Sequence, residues 1–188
     1  MHLLRVANLP LSRRRAPGQS LVEFAVILPV ILLLLVALAD LGRLYTSAVA
    51  IESAAREAAD FGAFDASYWT EANFATTTAA MERRACTAAA GSHLEDYETT
   101  DPVDNTTCTN PTFECFLERD GPSAGCLSSH GFTNGIDCSA AATEPPCTVH
   151  VRMTYQFRLF LNVPPLPASI QVTRDSYFRI SNLKPAGP

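Results

Sequence analysis

The chain of 188 residues has room for one domain of ordinary size, and two domains do not fit easily. Its formal net charge is −5, and segment 1–18 holds four arginines and no acidic residue. Without that segment, 10 basic residues face 19 acidic ones, which gives a net charge of −9. Because nucleic acid and anionic lipid are also negatively charged, such an acidic domain is a poor partner for either.

The six cysteines all lie in the C-terminal part of the chain: Cys86, Cys108, Cys115, Cys126, Cys138 and Cys147. None forms a C-x-x-C pair, whereas zinc sites favour short paired spacings. Their long, irregular spacings are typical of disulfides formed in an oxidising compartment. We expect three intramolecular disulfides that anchor segment 91–146 through Cys86 and Cys147, and no cofactor. The spacing leaves the pairing open.

An apolar block runs from Leu21 to Ala39, with Glu23 as its only charge. Nineteen residues in a helix reach about 28 Å, enough to cross the hydrocarbon core of a bilayer. The arginines precede the block, and Asp40 follows it. Because positively charged flanks stay in the cytoplasm, we predict a single-pass cell-membrane protein. Its N-terminus is cytoplasmic and its C-terminal domain is extracytoplasmic.

The helix is predicted to begin at Gln19 and to continue to about Phe61, because small and apolar residues recur every three or four positions after the block. Glu52 and Arg56 form an i,i+4 pair on another side of it. A second helix is predicted over 68–90. We divide the chain into a cleaved leader (1–18), a transmembrane helix (19–40), extracytoplasmic helices (41–92), an irregular Cys-rich loop region (93–146) and an antiparallel β-hairpin (147–182).

Apolar and polar residues alternate from Val149 to Leu161, a period of two that is typical of a half-buried strand. A less regular alternation from Ile170 to Ile180 follows a proline-rich connector. These two strands are predicted to form an antiparallel hairpin. The N-terminal helix is the nearest element that could cover its apolar face. His150 falls on the polar face and is expected to be exposed. The predicted fold class is α+β, with the long N-terminal helix packed on a small antiparallel sheet or hairpin and a disulfide-rich loop region.

The junction between the basic segment and the apolar block carries the main functional signal. Gly18 ends the basic segment, and Glu23 is the fifth residue after it. An acidic side chain at the centre of a membrane helix costs roughly 2.5–3.5 kcal/mol, and less near the edge, so a compensating charge is expected. Cleavage after Gly18 would create an ammonium group on Gln19, one helical turn from Glu23. The same ammonium could meet Glu23 of a neighbouring subunit.

These residues resemble a known family. The sequence Gly18-Gln19-Ser20-Leu21-Val22-Glu23-Phe24, the apolar run with Pro29, the sequence Asp40-Leu41-Gly42-Arg43 and the Ala-rich segment 54–59 are similar to the TadE-like pseudopilins of tight-adherence (type IVc) pilus systems. The segment 149–158 also looks like the family's closing hairpin, whereas the Cys-rich middle departs from the family.

The resemblance implies a minor pilin or an assembly and initiation factor of such a pilus. It implies leader cleavage between Gly18 and Gln19 by a prepilin peptidase, and assembly through Glu23. The partners it implies are other pilins or pseudopilins, the prepilin peptidase, an inner-membrane secretion platform and membrane lipid, with no nucleic acid among them.

Several alternatives remain open. Ala37-Leu38-Ala39 fits the rule of signal peptidase I, which would make the chain a secreted protein that starts at Asp40. Glu23 could instead be a tolerated boundary residue of an anchored adhesin or ligand sensor outside any filament. Pro29 removes one helical amide donor and predicts a kink or a site of stretching. No nucleophile motif or nucleotide-binding motif is present, so we do not expect an enzyme.

Overall fold

The structure is a computed structural model, and the residues it describes are 18–70, 72–119, 123–126, 138, 146–160 and 167–181. Contacts divide the chain into two compact units, Met1–Ala39 and Asp40–Pro188. Nearly all of the predicted leader and most of the proline-rich connector lie outside the described residues.

Helix α1 spans Gln19–Ala63 and confirms the predicted long N-terminal helix. In the first unit it carries the apolar block, which is long and apolar enough to cross a membrane and is not buried within the chain. Pro29 lies inside the helix, so one amide donor is missing there, while the predicted kink stays a prediction. The predicted pair between Glu52 and Arg56 is present, with 2.6 Å between Oε1 and Nη2.

In the second unit, small side chains allow the C-terminal part of α1 to lie deep in the core. Its buried face consists of Ser47, Ile51, Ala54, Ala55, Ala58, Ala59, Gly62 and Ala63. A 3₁₀ turn over Ala66–Trp69 follows, and the Asp65 side chain caps it by accepting from the Ser67 amide. Helix α2 spans Phe74–Gly91, so it begins later than predicted because the turn takes the first residues.

In the described part of the chain, six strands form two antiparallel sheets: β1 (Glu98–Thr99), β2 (Cys108–Asn110), β3 (Thr112–Glu118), β4 (Ser123–Gly125), β5 (Thr148–Arg158) and β6 (Ser169–Arg179). β1 pairs with β2, and the larger sheet has the order β4-β3-β5-β6. β5 and β6 form the predicted hairpin, in register from Thr148 opposite Arg179 to Arg158 opposite Ser169. The α+β fold class is therefore confirmed.

The interpretation of segment 93–146 as irregular loop needs correction, because β1 to β4 lie within it. β3 pairs with β5 along its whole length, so the predicted hairpin is part of a four-stranded sheet. Phe113, Cys115 and Leu117 are buried and alternate with Glu114 and Phe116, which face the other side. The alternation over 112–118 is a strand signal, but the cysteines and the turn sequences Asp120-Gly121-Pro122 and Asn134-Gly135 favoured a loop interpretation.

One hydrophobic core joins the buried face of α1 to the inward side chains of β5. Val149, Val151, Met153, Tyr155 and Phe157 line that face of β5 and are all almost completely buried. The helix therefore covers the apolar face of the hairpin, as the sequence predicts. At the far end of α1, the carbonyl of Ala63 accepts from the amide of Ser181 at 3.0 Å.

All six cysteines are paired, which confirms the predicted disulfides. The first bond, Cys86–Cys108, joins α2 to β2, and the second, Cys115–Cys126, joins β3 to the residue after β4. The third, Cys138–Cys147, ties Cys138 to the residue that precedes β5. The Cys-rich segment is thus anchored on one side through Cys86 and on the other through Cys147.

Candidate assembly segment

The junction predicted to be cleaved lies where α1 begins. Gly18 has a φ of +124°, a conformation that residues with a side chain rarely adopt, so glycine suits this position. Its carbonyl accepts from the amides of Leu21 and Val22, both at 3.1 Å, and so starts the helix. Gly18 and Gln19 are both exposed.

Glu23 lies one helical turn beyond Gln19, as the sequence requires. The side-chain amide of Gln19 donates to the Glu23 carboxylate, with 3.1 Å between Nε2 and Oε1. That neutral donor offers the carboxylate a hydrogen bond but no opposite charge. A free ammonium on Gln19 would lie on the same turn and would supply the charge.

A continuous apolar surface runs along α1 on both sides of Glu23. Its large side chains are all more than a third exposed: Leu21, Val22, Phe24, Val26, Ile27, Leu28, Val30, Ile31, Leu32, Leu33, Leu34, Leu35 and Leu38. Single exposed apolar residues are ordinary on a protein surface, but a patch this large marks a contact with lipid or with other protein. Pro29 lies within this surface.

Asp40 marks the beginning of the second unit and contacts the end of the hairpin. Its carboxylate is almost fully buried and accepts from the backbone amide of Phe160, at 3.2 Å to Oδ1 and 3.1 Å to Oδ2. The guanidinium of Arg43 donates to the same carboxylate at 3.0 Å. Asp40 thus fixes the turn end of the hairpin to α1.

Arg43 extends this contact to other elements. It forms an ion pair with Glu95, which follows α2, and its guanidinium lies over two aromatic rings. The distance to the ring centre is 3.8 Å for Phe160 and 5.0 Å for Phe157. The sequence analysis named Asp40 and Arg43 only as part of the family resemblance. Their i,i+3 spacing directly after the apolar block was the signal that could have identified them as a pair.

His150 is buried, which corrects the expectation that it is exposed. Its Nδ1 lies 2.8 Å from Glu118, and its Nε2 lies 2.7 Å from Asp175. The ring of Tyr177 stacks on it, with 4.1 Å between the ring centres. Burial raises the pKa of Asp175, but hydrogen bonds from His150 and Arg152 outweigh burial, and the pKa lies below its ordinary value.

This cluster lies on the face of the sheet opposite α1 and links three strands. Within it, the guanidinium of Arg152 forms an ion pair with Asp175, with 2.8 Å between Nε and Oδ1. The residues that approach His150 come from β3 and β6 on either side of β5. Since β3 was not predicted, the burial of His150 could not be foreseen.

Comparison with known families finds a match in the N-terminal part of the chain. Residues 18–60 match the family model described as TadE-like protein, which confirms the resemblance found in the sequence. The match begins at Gly18, contains Glu23 and Asp40, and ends three residues before α1 does. The family implies a protein associated with tight-adherence (Tad) pili. No curated protein and no solved structure was found to be similar to the chain.

Proposed function

We propose that this protein is a pilin-like minor subunit, or an assembly and initiation factor, of a tight-adherence pilus. In this proposal a prepilin peptidase cleaves between Gly18 and Gln19, and α1 anchors the protein with its N-terminus on the cytoplasmic side. Glu23 then docks the mature chain onto other pilins. The observation that carries the proposal is that the TadE-like match coincides with the junction and with nearly all of α1.

The electrostatics of Glu23 support this proposal. A carboxylate near the edge of the hydrocarbon layer is unfavourable, and the Gln19 side chain compensates it only with a neutral hydrogen bond. Cleavage after Gly18 would free the backbone amino group of Gln19, which is then a positively charged ammonium. In an apolar layer, an ion pair is weakly screened and exceeds the roughly 0–1 kcal/mol of a surface pair. The Gln19 ammonium of one subunit can also pair with the Glu23 carboxylate of an adjacent subunit. This pair would give an attraction between copies.

The exposed apolar surface of α1 also supports the proposal. A side-by-side arrangement of such helices buries this surface, and so does a bilayer. A pilin-like subunit needs both states, since it is stored in the membrane before it joins a filament. The second unit has its own core and disulfides, and so it does not need this surface for folding.

The mature N-terminus tests the first step. Mass spectrometry of protein extracted from membranes should find a chain that begins at Gln19. A chain that begins at Asp40 would contradict the proposal. It would favour the secreted binding domain instead, a reading supported by the unit boundary after Ala39. A reporter that works only in the cytoplasm, fused after Pro188, should stay silent, and its activity would reverse the proposed orientation.

The role of Glu23 is tested by three variants expressed in a deletion strain. Glu23→Leu should insert normally, because a leucine is more favourable in lipid, yet it should abolish surface pili. Glu23→Gln keeps a similar shape and a hydrogen bond but lacks the charge, so it should show the same defect. Glu52→Leu is the matched control on the same helix outside the apolar block, and it should leave pili unchanged.

Each variant is scored for protein level, mature N-terminus and pili seen by electron microscopy. Normal pili at normal protein level in Glu23→Leu would refute the docking role and leave Glu23 as a boundary residue. Loss of pili in Glu52→Leu as well would show that the assay reports general damage to α1.

A further inference from the structure

We propose that Phe160, which follows strand β5, is a membrane-surface contact, with its ring placed among the lipid headgroups. The inference rests on the proposed anchoring of α1 and adds a second point of attachment to it. At this end of the β5–β6 hairpin the structure describes Leu159, Phe160, Pro167 and Ala168, and the amide of Leu159 donates to the carbonyl of Ala168 at 3.2 Å.

The depth of Phe160 is inferred from one contact within the second unit. Its amide is hydrogen-bonded to the carboxylate of Asp40, the residue directly after the block. A helix whose apolar residues end at Ala39 fills the hydrocarbon core and leaves Asp40 at its edge. Phe160 is therefore held at the depth of the headgroups, independently of how the rest of the second unit is oriented.

Seven large apolar side chains are exposed in the described part of the second unit, and three of them are Phe160 and the two nearest to the start of that unit on α1. The other four are Val49, Phe64, Val103 and Tyr177. Among the described residues of the second unit, Phe160 is 63% exposed, Leu41 is 61% exposed and Tyr45 is 71% exposed. Tyr45 lies five residues after Asp40, a rise of about 7.5 Å along a helix, which is still within the headgroup layer. Aromatic side chains are enriched at this level of membrane proteins because an apolar ring and polar surroundings are both accommodated there.

The charged side chains beside Phe160 are more favourable among lipid headgroups than in the hydrocarbon core. The Arg43 guanidinium lies 3.8 Å from the centre of the Phe160 ring, and it is held by Asp40 and Glu95. The ring is thus fixed in direction while most of its surface remains open. A contact with lipid would cover that surface without disturbing the ion pairs, whose charged groups remain among polar headgroups.

Tryptophan scanning in bilayers tests the inference. The full mature chain is reconstituted in phosphatidylcholine vesicles brominated at shallow or at deep acyl positions. Four variants are compared: Phe160→Trp, Leu41→Trp as an interface standard, Leu32→Trp as a deep standard and Tyr177→Trp as an exposed control on the sheet. Trp69 is buried, and it contributes the same background to every variant.

The expected result is that shallow bromines quench Trp at position 160 as strongly as at position 41. Deep bromines should quench it less than at position 32, and Tyr177→Trp should resist both. If position 160 behaves like position 177 while position 32 is quenched, the hairpin contact is refuted and the anchoring stands. If position 32 is not quenched either, the anchoring itself fails, and the inference fails with it.

Aqueous iodide separates lipid from a protein partner. A tryptophan among headgroups is partly protected from iodide and is quenched by bromolipid. Protection from both quenchers would mean that another protein chain covers Phe160, and it would overturn the proposed lipid contact. Folding of each variant is checked by the resistance of its cysteines to alkylation without reductant.

Discussion

Gly62 is the position in α1 where one added methyl group would disturb the core most directly. A Cβ built there would lie 2.6 Å from Sδ and 2.8 Å from Cε of Met81, and 3.3 Å from Cζ2 of Trp69. Met81 and Trp69 are both almost completely buried, so Met81 can move away only by displacing other core atoms. We therefore expect Gly62→Ala to destabilise the fold, although alanine is the better helix former.

Two opposing contributions determine how much Gly62→Ala changes the free energy of unfolding. Overpacking a core by a methyl group costs about 1–3 kcal/mol, and glycine to alanine within a helix gains about 0.5–1 kcal/mol. Since the end of the Met81 side chain is flexible, we take the middle of the overpacking range and expect a net loss of about 1 kcal/mol. Gly42 provides the matched control, because an added Cβ there meets nothing within 4 Å. Gly42→Ala should therefore stabilise by about 0.5–1 kcal/mol.

Guanidinium denaturation in mild detergent measures both changes, with the fluorescence of Trp69 as the signal, since it is the single tryptophan of the chain. Met81→Leu shortens the side chain that the new methyl group would meet. The cost of Gly62→Ala should therefore be smaller in the Met81→Leu background. Equal stabilisation by Gly62→Ala and Gly42→Ala would refute the reasoning, and so would an unchanged cost in the Met81→Leu background.

Two further predictions concern covalent and ionic links. Removing the disulfide between Cys86 and Cys108 with paired alanines should lower the free energy of unfolding by about 3 kcal/mol, because the bond closes a long loop in the unfolded chain. A loss no larger than that of an exposed-surface substitution would contradict this. Asp175, whose pKa is held low by His150 and Arg152 against the effect of burial, contributes stability above the ordinary carboxyl range and loses it on acidification. The stability difference between wild type and Asp175→Asn should therefore shrink below about pH 4, and a difference that grows on acidification would refute the assignment.

The helix and the hairpin were predictable because each has one dominant period. Between Leu21 and Ala39 nearly every residue is apolar, and beyond Leu41 the small residues fall on one face, so α1 has a single consistent interpretation. β5 alternates without interruption, since every inward residue from Val149 to Phe157 is apolar. Both signals are local in sequence, and neither depends on which partner the element finds.

What escaped prediction depends on partners distant in sequence. β3 has only three inward residues, one of which is a cysteine, and its strand character comes from pairing with β5, whose paired residues lie 30 to 42 positions later. His150 is buried for the same reason, because its neighbours Glu118 and Asp175 belong to two other strands. Asp40 and Phe160 are 120 positions apart in the sequence, and no local pattern predicts their contact.

In the second unit, the helix and the hairpin are joined by hydrogen bonds at opposite ends. Asp40 holds Phe160 at one end, and Ala63 holds Ser181 at the other. A helix from 40 to 63 rises about 35 Å, and an eleven-residue strand extends about 36 Å, so the two elements match in length. Traction along the axis of α1 would therefore act as shear on both ends and on the packed face between them. The hydrogen bonds at both ends and the packed face would then break together. The unfolding rate under load would therefore be that of the whole domain. Under such a load, the second unit would resist unfolding that starts from one end of the helix alone.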